Sequence, residues 1–312
     1  MIVAAGLTPA WQHMLVFDLV RVGEVNRARA TYSCASGKVT NVALALHFLG
    51  GRHRSVISIG GIPGGSIKEE FETLGVDCRW LETRCSTREC TTVMDRTTSQ
   101  TTELVQNGEP LDADEFEAFI AAYAEEVCSA SSVILSGSLP PGAGTDFYRR
   151  LLDVTPSTAR TVLDIRGAEL LATLDTHPFL VKPNREELGM TVGREMNTDA
   201  DLQNGIAELH DRGAQNVLIS DGSDPLWLST TDGMLQIHTL PVNVVNPIAC
   251  GDCLAAGIAW ALENSTDLTE AVRFGVAAAT ENAAAMLPSR LDTQRVRKLM
   301  QKVTVAAADA EL

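Results

Sequence analysis

The sequence predicts an α/β protein: a doubly wound, mostly parallel sheet with helices on both faces, accompanied by a small separate β-sheet. Three observations predict it. The runs Ser132-Val133-Ile134-Leu135, Thr161-Val162-Leu163, Phe179-Leu180-Val181 and Asn216-Val217-Leu218-Ile219 are short, branched and continuously apolar, as strands buried on both faces of a parallel sheet are. The segments between them carry helical periodicity. Two stretches, 11–33 and 78–106, are instead rich in valine, threonine and alternating polar residues with no clear helix; they read as a sheet standing off the main one. A continuous α/β sheet can absorb all 312 residues as a single domain.

Met1-Ile2-Val3-Ala4-Ala5-Gly6 has no basic lead and reads as a first strand rather than a signal peptide. Ala28 to Tyr32 and Arg88 to Met94 read as half-exposed strands. Ser66 and Glu69 are spaced as a capping box ahead of Phe71 and Leu74, and Asp112 stands three residues before Glu115 in a similar start. Phe116, Phe119, Ile120, Tyr123 and Val127 then form one apolar stripe, as do Leu202, Ile206 and Leu209. Near the end, Asp252 opens a segment, Cys253 to Leu262, that is apolar nearly all round and therefore a buried helix.

Composition narrows the function. The chain is 45% hydrophobic and 21% charged, with a net charge of −15, which argues against nucleic acid as a partner. Residues 1–100 hold 11 basic and 9 acidic side chains and residues 101–312 hold 14 and 31, so an anionic ligand meets the less hostile field in the first third. No apolar stretch is long enough for a membrane span. Seven cysteines, mostly scattered, suit a reducing, cytoplasmic setting rather than a disulfide framework.

In open α/β sheets ligands bind beyond the carboxyl ends of the strands. The apolar runs are followed there by Ser136-Gly137-Ser138-Leu139-Pro140-Pro141-Gly142, by Asp164, by Lys182-Pro183-Asn184-Arg185-Glu186-Glu187 and by Ser220-Asp221-Gly222. A fifth run, Val242 to Val245, leads into Asn246-Pro247-Ile248-Ala249-Cys250-Gly251-Asp252. Turn chemistry explains any one of these; five together predict one polar crevice. The small residues 249–251 ahead of a buried helix leave bare amides that suit an anion. Asp252 beside them reads either as a helix-dipole partner or as a base that takes a proton from an attacking hydroxyl.

These motifs resemble the ribokinase/PfkB carbohydrate kinases, and within them the 1-phosphofructokinase and tagatose-6-phosphate kinase branch, from about residue 3 to about residue 290. Gly23-Glu24-Val25-Asn26-Arg27, the segment Ser36-Gly37-Lys38-Val39-Thr40-Asn41-Val42-Ala43, Ser136 to Gly142, Lys182 to Glu187 and Ala249 to Asp252 occur in the family's order. The resemblance implies a ribokinase-like kinase using ATP and Mg²⁺, acting on a sugar phosphate, with fructose 1-phosphate the first expectation and tagatose 6-phosphate an alternative. It implies Asp252 as base, with the amides of Ala249, Cys250 and Gly251 as anion hole. Asn184 and Glu187 would position the metal through water. Lys182, Ser220 and Gly222 would face the nucleotide and Asn282 the adenine. Gln12, Gly37, Lys38, Asn41, Arg88 and Ser138 would face the sugar phosphate. Arg27 and Arg29, on a lid made of the two off-sheet segments, would reach a phosphate across a homodimer interface.

The chain departs from the family pattern at several places. Gln12 stands where the branch has an aspartate that grips sugar hydroxyls; an amide both accepts and donates, so the recognised hydroxyl pattern changes. Ala249 replaces a glycine, at a strain of ~1–2 kcal/mol if its φ is positive. Ser36, Pro225 and Asn246-Pro247 are further replacements. They motivate a second reading, a non-catalytic sugar-phosphate or nucleotide sensor. Cys250 and Cys253 form a Cys-x-x-Cys, which also reads as a redox pair or half a zinc site, although no second pair completes the latter. At a helix N-terminus, Cys250 is expected to have a lowered thiol pKa. The histidines show no metal spacing. There is no P-loop and no protein-kinase motif set.

Overall fold

The computed structural model describes residues 1–264 and 267–308. Fourteen strands appear among these residues: β1 Ile2–Gly6, β2 Ala10–Phe17, β3 Ala30–Ser36, β4 His53–Ile59, β5 Cys78–Glu82, β6 Arg88–Asp95, β7 Gln100–Val105, β8 Ser132–Ser136, β9 Arg160–Asp164, β10 Leu180–Val181, β11 Val217–Ile219, β12 Leu226–Thr230, β13 Gly233–Ile237 and β14 Val305–Ala307. The helices are α1 Lys38–Phe48, α2 Gly61–Leu74, α3 Ala113–Val127, α4 Phe147–Asp153, α5 Gly167–Leu171, α6 Arg185–Val192, α7 Asp199–Asp211, α8 Cys250–Glu263, α9 Leu268–Ala283 and α10 Thr293–Met300. No described helix is long and apolar enough to cross a membrane.

Ten strands form the large sheet, in the order β14-β13-β12-β11-β10-β9-β8-β1-β4-β5. It is parallel from β5 to β11 and antiparallel from β11 to β14. The chain winds outward from β1 in both directions, through β4 to β5 and through β8 to β11. The carboxyl ends of β1 and β8 thus mark the topological switch point, where such sheets bind ligands. β1 shows why its residues are all apolar: Ile2 and Ala4 pack with α1, α8 and α9, while Val3 and Ala5 pack on the opposite face with α3 and α4.

The remaining strands form a four-stranded sheet in the order β3-β2-β6-β7, with β2 and β6 parallel and both outer pairs antiparallel. This is the expected separate sheet, with different bounds. The strand over 78–82, expected in it, instead pairs in parallel with β4 at the edge of the large sheet. An edge strand covered on one face has the same half-buried alternation as a lid strand, and local sequence does not separate the two. β3 also runs to Ser36, beyond the expected boundary at 33.

Two further expectations change. The helix expected to begin at Ser66 begins at Gly61, and Ser66 lies inside it, donating its hydroxyl to the Ile62 carbonyl at 3.3 Å. Its glycine-rich first turn hides the start, because Gly64 is set by packing against Ile59 and Thr87. Val242 to Val245 is irregular and exposed rather than a strand. The start at Asp112 is as expected, with the Asp112 amide donating to Glu115 Oε2 at 2.7 Å.

Helix α8 is buried from Asp252 to Leu262 and packs closely on α9. The contact is made through glycine. A Cβ on Gly275 would lie 2.7 Å from the Leu254 carbonyl oxygen, and one on Gly257 would lie 2.9 Å from Gly275 Cα. Substituting Gly275→Ala should therefore lower the thermal unfolding midpoint by several degrees, from an overpacking cost of ~1–3 kcal/mol. An unchanged midpoint in a calorimetric scan would show that the two helices part freely.

Candidate active site

A cleft of about 460 Å³ opens between the carboxyl ends of the central strands and the small sheet, which covers it as a lid. Gln12, Arg88, Cys90, Glu103 and Val105 line it from the lid, and Asp164, Lys182, Asn184 and Asp252 from the large sheet and its loops. Gly37 sits between the two as the N-cap of α1, with φ 91°. A side chain there would be 2.8 Å from the Thr8 carbonyl oxygen and 2.9 Å from Pro9 Cα, so only glycine lets the lid strand turn into α1. The first turn of α1 then delivers Lys38 and Asn41 to the cleft.

Asp164, at the end of β9, is the centre of the charge arrangement. Its Oδ1 lies 2.9 Å from Lys182 Nζ and 3.2 Å from Lys38 Nζ, and its Oδ2 accepts the Ser136 hydroxyl at 3.1 Å. Burial pushes the Asp164 carboxyl up, but the ammonium groups of Lys182 and Lys38 outweigh it and hold the group down at about 2. Lys38 also meets Glu187 Oε1 at 3.1 Å. Burial disfavours the Lys38 ammonium, yet Asp164, Glu187 and Asp252 together raise its pKa above the ordinary lysine value.

Asp252 is 5% exposed. Burial, then the charge of Asp164, drives its carboxyl up; Lys38, the Asn41 hydrogen bond and Lys182 pull it part of the way back, to about 7. Asn41 Nδ2 donates to Oδ2 at 2.8 Å, which orients the carboxylate and leaves Oδ1 free of that bond. A carboxylate poised near neutrality is suited to general-base work.

The loop ahead of α8 turns through Ala249 at φ 67°. The Cys250 amide makes a long bond of 3.4 Å to the Pro247 carbonyl, and the Cys253 amide one of 2.9 Å to the Ala249 carbonyl. Between them, the amides of Gly251 and Asp252 have no backbone acceptor among the described residues. A Cβ on Gly251 would lie 3.7 Å from Lys182 Nζ, so an ammonium stands beside these amides. Bare N–H groups, a cation and a basic carboxylate at one helix mouth can bind an anion and deprotonate a neighbouring hydroxyl.

The cleft brings together Gln12, Gly37, Lys38, Asn41, Arg88, Ser138, Lys182, Asn184, Glu187, Ser220 and the 249–252 segment. It does not bring in four other residues. Arg27 and Arg29 are exposed on the chain before β3, with Arg29 paired to Asp18 at 3.1 Å. Gly222 is exposed and Asn282 is buried, and neither lines the cleft. The Cys250 thiol differs from expectation: burial pushes it up and outweighs the opposing hydrogen bond from Asn282, and the carboxylate of Asp252 adds a smaller push upward. Among the described residues no group of three His, Cys, Asp or Glu side chains could hold a metal ion.

Asn184 and Glu187 cap α6 reciprocally. Asn184 Oδ1 accepts the Glu187 amide at 2.7 Å and Glu187 Oε2 accepts the Asn184 amide at 3.0 Å. With Glu187 Oε1 on Lys38, both side chains have their oxygens engaged. The donor set fits a hydrated Mg²⁺ reached through water, and not a direct cage.

Asp164 was visible in the sequence as an acidic residue at a strand end, but nothing local predicts that two lysines converge on it. Glu103 and Arg166 also line the cleft. Their sequence neighbourhoods, a threonine-rich strand and a loop, carry no signal.

A doubly wound sheet with a small covering sheet, bare amides at a helix mouth and a buried carboxylate beside them suits an enzyme of the sugar-kinase class. Residues 10–289 match the pfkB family carbohydrate kinase profile, and the chain belongs to that family. It is 32% identical over 288 residues to the ATP-dependent 6-phosphofructokinase isozyme 2 of Mycobacterium tuberculosis, covering 92% of this chain and 84% of that one. It is 26% identical over 306 residues to the 1-phosphofructokinase of Borreliella burgdorferi, covering 98% of each. The solved structure of Escherichia coli phosphofructokinase-2 with substrates and products superposes with a TM-score of 0.88 at 25% identity, over 96% of this chain and 98% of that one.

Because Asp252 is basic only when ionised, kcat/KM for phosphoryl transfer should rise about tenfold per pH unit on the acid side and level off above about 7. A limb with its midpoint near 4, the ordinary carboxylate value, would show that burial and Asp164 do not govern this group.

Proposed function

We propose that the protein transfers the γ-phosphoryl group of ATP to a hydroxyl of a phosphorylated ketohexose. The reading is carried by the Asp252 carboxylate, held by Asn41 within the same cleft as Lys182, Asn184 and Glu187 and beside the free amides of α8. Asp252 takes the hydroxyl proton as the oxygen attacks phosphorus. The new O–P bond forms while the bond to the bridging oxygen breaks, and that oxygen leaves with ADP. The amides of Gly251 and Asp252 and the Lys182 ammonium face the transferring group and hold its charge. When bound, Mg²⁺ would neutralise charge on the nucleotide phosphates; Asn184 and Glu187 would orient it through water.

Fructose 1-phosphate is the expected acceptor from the motifs of the 1-phosphofructokinase branch. The higher identity to a 6-phosphofructokinase favours fructose 6-phosphate. Arg88 lines the lid end of the cleft and, among the described residues, its side chain donates only to the Thr8 and Pro9 carbonyls, at 3.4 Å each, so its guanidinium suits the acceptor's phosphate. Lid-to-lid dimerisation is supported by Val22 and Val25, which are 99% and 83% exposed beside Arg27. In such a dimer Arg27 and Arg29 would approach the partner's cleft.

ADP release should be seen with a fructose monophosphate when a panel of sugars and sugar phosphates is assayed, and the 1- and 6-phosphates compared by kcat/KM. Substituting Asp252→Asn should cut turnover by at least ~10²–10⁴-fold, the usual worth of a general base, with ATP affinity kept within a few-fold. Near-normal turnover would refute the base assignment. ATP binding without ADP formation across the whole panel would favour a sensor. For the dimer, Val25→Asp should shift the sedimentation coefficient from dimer to monomer; a monomeric parent protein would overturn that part.

A further inference from the structure

We propose that Asn282 is a positioning residue for phosphoryl transfer: with Asn246, it clamps the turn that aims the anion-binding amides. The proposal rests on the kinase reading above. Asn282, in the last turn of α9, is 1% exposed and stands behind the cleft wall, bonded to two of its lining residues and not lining it itself. Its Nδ2 donates to the Ile248 carbonyl at 2.7 Å and to Cys250 Sγ at 3.4 Å, and its Oδ1 accepts the Ser289 amide at 2.7 Å.

Asn246, also 1% exposed, grips the same residue from the other side. Its Oδ1 accepts the Ile248 amide at 3.0 Å, while its Nδ2 donates to the Met286 carbonyl at 2.8 Å and to Met14 Sδ at 3.3 Å. The N–H and the C=O of Ile248 are therefore each tied to a separate buried carboxamide. Those carboxamides are in turn anchored to the loop that follows α9.

The residue so gripped immediately precedes Ala249, whose φ of 67° is left-handed backbone that an L-residue with a Cβ disfavours. Left-handed backbone at a non-glycine residue persists only where its surroundings over-determine it. The two clamps supply that constraint. Relaxation of Ala249 to right-handed backbone would rotate the peptide joining it to Cys250 and swing the Gly251 and Asp252 amides off the cleft. Ser289, on the other arm of Asn282, is left-handed as well, at φ 63°. One carboxamide thus links two strained turns.

The test compares the parent protein with Asn282→Ala, measuring steady-state kinetics and calorimetric binding of ADP with magnesium, with and without aluminium fluoride, a mimic of the transferring phosphoryl group. The parent should bind ADP more tightly when aluminium fluoride is present. Asn282→Ala should lose at least about tenfold of that enhancement and about 10²-fold in kcat, the scale of losing an oxyanion donor. Its KM for ATP and its affinity for ADP alone should stay within about threefold. A raised KM for ATP with unchanged kcat would mean nucleotide contact and overturn the proposal, as would no change at all. Should Asn282→Ala fail to fold, Asn246→Ser gives the same readout from the opposite side of Ile248, and unchanged kcat there overturns the clamp. A parent protein showing neither ADP formation nor an aluminium fluoride effect sinks the kinase reading itself.

Discussion

The site depends on one buried carboxylate, Asp164, held between the ammonium groups of Lys182 and Lys38. Without those cations, burial would neutralise it; with them it stays ionised well below the ordinary range. Its charge has two consequences. It fixes both lysines at the cleft floor, and it raises the neighbouring Asp252 towards neutrality. One ion-paired carboxylate therefore holds both cleft cations and adds to the push that burial gives the Asp252 carboxyl. Removing one partner of such a buried group leaves an uncompensated charge, at a cost of ~3–5 kcal/mol, so stability and chemistry are joined at this point.

The fold supplies what the charges need. The outward winding of the sheet from β1 places the ends of β8, β9 and β10 side by side, and these carry Ser136, Asp164 and Lys182. Helix α8 closes the arrangement from beneath. Its apolar surface leaves it nowhere to go but the core, and the glycine contact with α9 fixes how deep it sits. Its mouth, with Ala249 in a left-handed turn, is then held at a set distance from the strand ends.

The lid brings the departures from the family pattern into view. Gln12 Nε2 donates to the Thr92 hydroxyl at 2.7 Å across the β2–β6 pairing. A carboxylate at 12 would instead accept a hydrogen bond from that hydroxyl, so the substitution reverses the direction of the bond and changes what remains for a substrate to meet. Arg88 and Glu103 line the same end of the cleft. Burial pushes the Glu103 carboxyl up and Arg88 draws it down, so this end of the cleft combines a cation and a carboxylate where the sequence signalled only the cation.

By itself the sequence determined the class of the fold and most of its strands and helices, because these are local properties: a doubly buried strand must be continuously apolar and a buried helix apolar all round. The cleft residues after the strand ends were legible in the same way, whereas Gln12, Gly37, Lys38, Asn41 and Arg88 were legible only through the family resemblance. Tertiary structure alone decided which side of the molecule 78–82 joins, because an edge strand and a lid strand carry the same one-sided pattern. It also decided that the buried Asn282 carboxamide meets the Ile248 carbonyl and the Ser289 amide, and that two lysines converge on Asp164. Those outcomes depend on distances between residues well separated in the chain, such as Lys38 and Asp164, which are 126 positions apart. Electrostatic energy depends on separation and burial, and neither is written in the order of the chain.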